Sequence, residues 1–186
     1  MLTELDRAIE GLALDTMATA LIARLEQDQD VLLGGRVKLR WSSAGHPPPA
    51  VLTPDGKALL LDEEAPELLL GVAPDTKRRE FVTVLDAGST VLLYTDGLVE
   101  RRDRDLDAGT AELVEVLRAC AGLSLDDLCD EVLERLFLPD AQDDVAMLGL
   151  RLHPQDALRP PEAGPQIVPA SIEPAPDVMP EAGSGA

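Results

Sequence analysis

The amino-acid sequence predicts an α+β fold in which helices are segregated on antiparallel β-sheet. Three observations predict it. Strand and hairpin patterns fill the middle of the chain, from about residue 37 to residue 95. Two helical patterns follow, and a single strand pattern, Val145–Leu152, comes after them. Strands that are grouped in this way, rather than alternating one by one with helices, are typical of antiparallel sheets.

The apolar pattern predicts the secondary structure clearly in the first segment of the chain and ambiguously in the second. Apolar residues recur at helical spacing near the N-terminus and predict a helix that ends near Gly11; they are Leu2, Leu5, Ile9 and Leu12. Met17–Gln27 is ambiguous. Its alanine and leucine content favours helix, whereas the residues at its odd positions would equally share one face of a strand. QDQDVLLGGR then predicts a turn.

Three patterns predict strands in the middle of the chain. Val37, Leu39 and Trp41 alternate with polar residues, which indicates a half-buried strand. The prolines of AGHPPP end it, because proline cannot donate to a β-ladder. AVLTPDGKALLL predicts a hairpin that turns at residues 54–56, and EFVTVLDAGSTVLLYT predicts a second that turns at residues 86–89.

Two helices are expected next. We expect Thr110 to cap the first and Gly122 to stop it. We expect Ser124 to cap the second, with Asp127 completing a weak capping box. The residues predicted to face inward are Leu113, Leu117 and Cys120 in the first helix and Leu128, Val132, Leu133 and Leu136 in the second.

The composition changes near Pro154. From there to Ala186 the chain is rich in Pro, Ala, Glu and Gly and has no apolar periodicity. Such a segment buries too little apolar surface to offset its ordering entropy. We therefore expect a folded domain at residues 1–153 and a disordered tail at residues 154–186.

The charge balance argues against several classes of partner. The chain has 35 acidic and 16 basic residues and a formal net charge of −19. Because so negative a surface repels phosphate backbones and anionic lipid, we expect neither a nucleic acid nor a membrane as partner. The N-terminus lacks the pattern of a secretory signal. The two cysteines, Cys120 and Cys129, fit buried reduced thiols, so a cytoplasmic location is expected.

Acidic residues adjoin two of the predicted strands. Asp96 follows the strand Val91–Thr95, and Asp143 and Asp144 directly precede the closing strand. If these strands are antiparallel neighbours, the end of one meets the start of the other at one sheet edge, and the carboxylates converge. Carboxylate oxygens are the ligands that Mg²⁺ and Mn²⁺ prefer. The simpler alternatives stay open, because Asp-Gly is a common turn pair and Asp143-Asp144 also fits a solvated loop.

Three further segments contain polar residues that could carry chemistry. Ser43 and His46 have the side chains of a nucleophile and its base, but no G-x-S-x-G elbow occurs, so a polar His46 near the rim of a site is the favoured interpretation. Gly71–Pro74 is either a lid or a simple connection. The charge runs at residues 76–80 and 100–105 are expected to be solvated surface, although the arginines of the second could meet a phosphate near Asp96.

Four motifs occur along the chain in a specific order: LRWSSAGHPPPAVLTPDG, LLLGVAP, LDAGSTVLLYTDGLVERRD and QDDVAMLGLRL. Together they resemble the metal-dependent PPM-type serine/threonine protein phosphatases, in the bacterial SpoIIE-like branch of sporulation and stress regulators. The resemblance runs from about Leu2 to Leu152. It implies two stacked antiparallel sheets flanked by helices, an α-β-β-α sandwich, and it favours a strand at Met17–Leu25.

The resemblance also implies a reaction and its residues. Two Mn²⁺ or Mg²⁺ ions at one edge of the sandwich activate a water that attacks a phosphoserine or phosphothreonine. Asp96 matches the metal aspartate of the TDG turn, where Gly97 allows the bend. Asp143 matches the late metal aspartate, and Asp144 is either its neighbouring partner or the ligand itself.

The resemblance further implies a loop that supports the site and a class of substrate. Gly45 and His46, in the AGHPPP motif, are expected to support the site. The expected partner is a phosphoprotein substrate, a phosphorylated regulator such as an anti-sigma-factor antagonist.

The chain departs from the family pattern in two ways. Ala146 stands where the family usually has Thr after DDV, and the Gly-Asp-Val-x-Gly motif, whose aspartate bridges both metals, does not occur in the sequence. The sequence therefore predicts a partial domain, truncated at its N-terminus. Its function is either phosphoprotein phosphatase or, as the alternative, a catalytically inactive phosphatase-like module that binds regulatory partners. The oligomeric state stays open.

Overall fold

The computed structural model describes residues 1–26, 35–61, 67–100, 106–137 and 144–153 of the chain. The predicted tail at residues 154–186 lies outside them. The elements are, in chain order, α1 (Leu2–Gly11), β1 (Ala20–Glu26), β2 (Arg36–Ala44), β3 (Ala50–Leu52), β4 (Ala58–Leu60), β5 (Phe81–Asp86), β6 (Thr90–Tyr94), α2 (Leu106–Ala119), α3 (Leu125–Leu136) and β7 (Met147–Arg151). A single 3-10 turn, Asp96–Leu98, follows β6.

The strands form two antiparallel sheets that stack face to face. The first sheet has the strand order β1-β2-β5, and the second has the order β4-β3-β6-β7. One apolar cluster, which includes Trp41 from the first sheet and Val51 and Val91 from the second, lies between the sheets. A second cluster joins the second sheet to α2 and α3, and a third joins the first sheet to α1. The predicted α+β sandwich flanked by helices is confirmed.

The ambiguous segment after α1 is a strand. β1 pairs with β2 along its whole length, from Ala20 opposite Ala44 to Glu26 opposite Lys38. Its alanines and leucines favour helix in isolation, but pairing with a strand of strong alternating pattern overrides that weak preference. The strand that the resemblance favoured is therefore confirmed, with its start three residues later than expected.

The predicted second hairpin is wrong. β5 pairs with β2 in the first sheet, whereas β6 pairs with β3 and β7 in the second. The turn at residues 86–89 therefore carries the chain from one sheet to the other, and the Gly88 N–H donates to the Leu152 carbonyl at 2.6 Å. A short turn with Gly at positive φ suits a sandwich corner as well as a hairpin, so turn chemistry alone does not tell the two apart.

The second and third helices match the prediction in part. Ser124 caps α3, because its Oγ accepts the Asp127 N–H at 3.1 Å. Thr110 does not cap α2: it lies inside the helix, and its hydroxyl donates to the carbonyls of Leu106 and Asp107. Leu133, predicted to be buried, is 36% exposed. No helix in the described ranges has the length and apolar character needed to cross a membrane.

The two cysteines are free thiols in the cluster beneath α2 and α3. Cys120 is buried and Cys129 is half-buried. Burial raises the pKa of both thiols, which keeps them protonated at neutral pH. The prediction of a buried thiol is confirmed for Cys120, whereas Cys129 is only half-buried.

Helix α1 docks through a buried ion pair that the apolar pattern did not predict. Asp6 is fully buried, whereas Leu5 and Leu12 of the predicted apolar stripe are exposed. The Asp6 carboxylate accepts a hydrogen bond from Arg78 Nη2 at 2.6 Å and another from the Gly71 N–H at 2.8 Å. The Arg78 side chain is only 4% exposed. The expectation that residues 76–80 form solvated surface is therefore wrong for Arg78.

We predict that Asp6→Asn lowers the free energy of unfolding by about 3–5 kcal/mol, because it leaves the Arg78 guanidinium buried without its counter-charge. Asp75→Asn is the matched control. Asp75 pairs with Arg7 at 3.2 Å in an exposed position, so its loss should cost less than about 1 kcal/mol. Urea unfolding of the two variants measures the difference, and equal midpoints would show that the buried pair does not anchor α1.

Candidate functional site

The end of β6 and the start of β7 meet at one edge of the second sheet. Tyr94 pairs with Met147, and the Thr95 N–H donates to the Ala146 carbonyl at 3.0 Å. The Thr95 hydroxyl donates to the Asp144 carbonyl at 3.0 Å. Asp96 and Asp144 are therefore brought to the same edge, as the antiparallel pairing predicted. Asp143 lies outside the described residues.

Asp96 serves both as a turn residue and as a carboxylate held at the edge. Its carbonyl accepts the N–H groups of Val99 and Glu100, at 2.8 and 2.7 Å, which closes the 3-10 turn. Its carboxylate accepts the Gly97 N–H at 3.0 Å. The side chain is half-buried. The interpretation of Asp-Gly as a turn pair and the interpretation of Asp96 as a functional carboxylate are thus compatible, because the turn holds the carboxylate in place.

Ser43 and His46 do not form a nucleophile–base pair. The buried Ser43 hydroxyl accepts the His46 N–H at 3.2 Å and donates to the His46 carbonyl at 3.1 Å, so it holds the loop main chain. The His46 ring contacts other groups: its Nδ1 lies 3.2 Å from the Thr19 hydroxyl. The structure agrees with the interpretation of His46 as a polar residue in a loop that ends a strand.

His46 is a neutral residue near Asp96. Burial lowers the pKa of its imidazole, and this effect outweighs the nearby Asp96 charge and the nearby Tyr94 main chain, both of which raise it. A pKa below the usual value leaves the ring uncharged at neutral pH.

Gly45 lets a second segment approach this loop. Its φ is +67°, and a Cβ atom at this position would lie 3.1 Å from Leu69 Cγ and 3.4 Å from the Glu67 carbonyl oxygen. The segment around Glu67 and Leu69 therefore packs directly on the AGHPPP loop. Gly45 is required for its backbone conformation and for this contact.

A cavity of about 530 Å³ opens between this loop, the Asp96 turn and the start of α2. Four carboxylic side chains line it, from Glu67, Asp96, Glu100 and Asp107, and His46 adds its neutral ring. The apolar part of the lining comes from Trp41, Pro47, Pro48, Leu60 and Leu106. No Lys or Arg is among the described residues that line the cavity. The described lining is therefore negatively charged, although Arg79, outside it, compensates Glu67 through an ion pair of 2.6 Å.

The donor chemistry of the cavity fits a hard divalent cation, because carboxylate oxygens are its preferred ligands. Within the described ranges, however, no three His, Cys, Asp or Glu side chains are grouped closely enough to hold a metal ion. Asp96 and Asp144 lie at one edge of the sheet, and the described residues by themselves do not form a metal site.

Two residues that line the cavity, Glu67 and Asp107, and one that contacts His46 beside it, Thr19, were not predicted from the sequence. Glu67 and Asp107 are single acidic residues in acidic surroundings, with no motif to mark them. Thr19 lies in the segment whose secondary structure was ambiguous. Only the strand assignment of β1 and its pairing with β2, which bring Thr19 close to His46, could have pointed to it.

Comparison with known proteins places the fold among the phosphatases. The RsbU and RsbW domains of a Mycobacterium tuberculosis protein are 30% identical, with a TM-score of 0.68, over 82% of this chain and 41% of that one. The SiaA PP2C domain of Pseudomonas aeruginosa is 19% identical, with a TM-score of 0.61, over 81% of this chain and 58% of that one. The phosphatase domain of SpoIIE from Bacillus subtilis is 13% identical, with a TM-score of 0.51, over 90% of this chain and 69% of that one.

These structures define the class as PPM-type serine/threonine phosphatases. The family model of stage II sporulation protein E (SpoIIE) matches residues 1–153. The chain belongs to the SpoIIE family, as its motifs indicated. It spans 41% and 58% of the length of the first two of these structures.

We predict that Gly45→Ala destabilises the domain by about 2–4 kcal/mol, because a Cβ both strains a positive φ and presses on Leu69. Gly35→Ala is the matched control. Gly35 has a similar φ of +64°, but a methyl group there would meet nothing within 4 Å, so only the backbone cost of about 1–2 kcal/mol applies. Urea unfolding compares the two variants. Equal losses would contradict the packing contact.

Proposed function

We propose that this chain carries the metal-dependent catalytic edge of a protein serine/threonine phosphatase that acts on a phosphorylated regulatory protein. One observation carries the proposal: the antiparallel pairing of β6 with β7 brings Asp96 and Asp144 to one edge, beside an acidic cavity. Membership of the SpoIIE family supports the reaction class.

Asp96 and Asp143 are proposed as metal ligands, with Asp144 beside them. Gly97 and the loop of Gly45 and His46 support the Asp96 turn. A bound Mn²⁺ or Mg²⁺ would supply Lewis-acid stabilisation of the phosphoryl oxygens and a more acidic water. The choice of metals is supported by the SpoIIE phosphatase domain that was soaked in Mn, and by RsbX, which was solved with magnesium.

The residues of the cavity explain why a cation is needed. A phosphate group is repelled by the carboxylates of Asp96, Glu100 and Asp107 unless positive charge is added, whereas the fourth carboxylate, Glu67, is already paired with Arg79.

The proposed substrate is a phosphoserine or phosphothreonine protein of a regulatory system, such as an anti-sigma-factor antagonist, in the cytoplasm. The support is the structure in which an RsbU domain occurs together with an RsbW domain, because that chain combines a domain similar to this one with a second regulatory domain.

A second function, a phosphatase-like module that binds partners without turnover, is favoured by a different observation. The described residues hold no group of three or more metal-ligating side chains, and the sequence lacks the Gly-Asp-Val-x-Gly motif. The two functions differ in whether this chain hydrolyses a phosphoester.

The decisive measurement is hydrolysis of a phosphoserine peptide by the whole chain with Mn²⁺. We predict measurable turnover that is lost on chelation and falls at least about 100-fold in Asp96→Asn, which removes a charged ligand at the edge. Asp55→Asn, in the exposed turn between β3 and β4, is the matched control and should retain wild-type activity. Absence of turnover by the wild-type chain would favour the partner-binding module instead.

A further inference from the structure

Two of the four carboxylic side chains that line the cavity are exposed and have no cation paired with them. Glu67 is paired with Arg79, and Asp96 belongs to the sheet edge described above. Glu100 and Asp107 are both exposed, and no Lys or Arg among the described residues forms an ion pair with either. Their charges are therefore free to bind a cationic ligand.

The packing of α2 on the chain that follows the Asp96 turn places these two carboxylates on the same cavity. A Cβ atom at Gly109 would lie 2.0 Å from the carbonyl oxygen of Val99, so the two main chains are in direct contact. Glu100 directly follows Val99, and Asp107 lies in the first turn of α2, close to Gly109 in the sequence. Glu100 and Asp107 thus form an acidic rim of the cavity that main-chain packing holds in place.

Apolar side chains lie beside the acidic rim. Pro47 and Pro48 come from the AGHPPP loop, and Leu106 comes from the start of α2, next to Asp107. The volume of about 530 Å³ lies within the range of about 300–1,000 Å³ that is typical of ligand pockets. A lysine or arginine side chain has an apolar stem and a charged end, so it matches a cavity with apolar walls and an acidic rim.

A buried hydrogen-bond donor without an acceptor borders the same cavity. Trp41 is only 2% exposed, and its indole Nε1 has no hydrogen-bond partner within the described ranges. The ring belongs to the cluster between the sheets, where it stacks on Phe81, and Trp41 lines the cavity. Because a buried N–H without an acceptor is unfavourable, we expect the occupant of the cavity to supply an oxygen. A metal ion accepts no hydrogen bond, whereas a peptide with a basic side chain offers both a cation and main-chain carbonyls.

We propose that the cavity is a specificity subsite for a lysine or arginine close to the phosphorylated residue of the substrate. The cationic end pairs with Glu100 and Asp107, and the Trp41 N–H donates to a main-chain carbonyl of the same segment. The link to catalysis rests on the proposed function, since the ligand is taken to be the phosphoprotein substrate. Binding of the basic segment itself requires no turnover.

Peptide binding to the whole chain, measured without metal by fluorescence anisotropy, tests the subsite. The probes are pairs of labelled phosphoserine peptides that carry either lysine or norleucine at one position beside the phosphoserine. Norleucine keeps the apolar stem and removes the charge. We expect the lysine peptide to bind at least about 5-fold more tightly at one or more of these positions. Equal binding of lysine and norleucine peptides at every position would overturn the proposal.

Matched variants are needed because a chain with a net charge of −19 also attracts a lysine peptide non-specifically. Asp107→Asn and Glu100→Gln should each weaken binding of the lysine peptide by about 2- to 5-fold, the size expected for an exposed ion pair. Asp126→Asn is the matched control, because it removes the same charge from the first turn of α3, outside the described lining of the cavity. If Asp126→Asn weakens binding as much as Asp107→Asn does, the attraction is non-specific and the subsite is wrong.

The contact of Trp41 is followed through the ¹H–¹⁵N NMR signal of its indole N–H, which is unique because the chain has one Trp. We expect the indole proton signal to move downfield when the lysine peptide binds, as it does for a proton that enters a hydrogen bond. Trp41→Phe keeps an aromatic ring against Phe81 and should weaken peptide binding by about 2- to 10-fold. An indole signal that the bound peptide leaves unmoved would contradict the contact.

Turnover with Mn²⁺ separates this proposal from the proposed function. We expect lysine in place of norleucine to lower KM and to leave kcat unchanged. If both peptides are hydrolysed with the same KM and kcat, the phosphatase function stands and the subsite is wrong. If neither peptide is hydrolysed but the lysine peptide still binds through Asp107, the proposed function fails, and the cavity is confirmed as a binding site for a basic peptide.

Discussion

The packing of β6 on both of its faces is the constraint on which the site depends. Val91 lies in the cluster between the sheets, and the next residue, Leu92, lies in the cluster beneath the helices. Both are fully buried. Burial of each such side chain contributes about 1.5–3 kcal/mol. Because a slip of one residue would exchange the two faces, β6 has a single register, and Asp96 comes to one defined position at its end.

The same strand also determines what Asp96 faces. β7 lies beside β6, so the Asp144 main chain meets Thr95 although 49 residues separate them. The AGHPPP loop comes from the other sheet, and its His46 lines the same cavity as Asp96. The described lining of the cavity beside this edge has four carboxylic side chains and no Lys or Arg, although Arg79, outside the lining, pairs with Glu67.

The sequence predicted those parts of the fold that depend on local periodicity or on an ordered set of motifs. The alternation of Val37, Leu39 and Trp41 predicted β2, and the motif order predicted the sandwich and the edge at Asp96. The crossing of the chain from the first sheet to the second between β5 and β6 was not predicted. A turn that contains glycine can join two strands of one sheet or strands of two different sheets, and its residues are similar in both cases. The burial of Asp6 and Arg78 was also missed, because charged residues are predicted to lie on the surface unless the buried partner, here 72 positions away, is known.

That missed pair bears on the site, since it holds one wall of the cavity. Arg78 donates to the carbonyls of Leu68 and Leu69, and Asp6 accepts the Gly71 N–H. These bonds fix the segment that begins at Glu67 and packs on Gly45.

The Glu67 carboxylate itself is held by Arg79, whose Nε lies 2.6 Å from it, and the Arg79 guanidinium lies 5.5 Å from the centre of the Phe81 ring. Phe81 stacks on Trp41, with 4.7 Å between the ring centroids, and Trp41 is itself one of the residues that line the cavity. Ion pairs and stacked rings thus form this wall, and Asp6 is the buried charge that compensates Arg78. The segment that follows Glu67 is therefore tied, through Arg78 and Asp6, to a helix that contributes no residue to the described lining of the cavity.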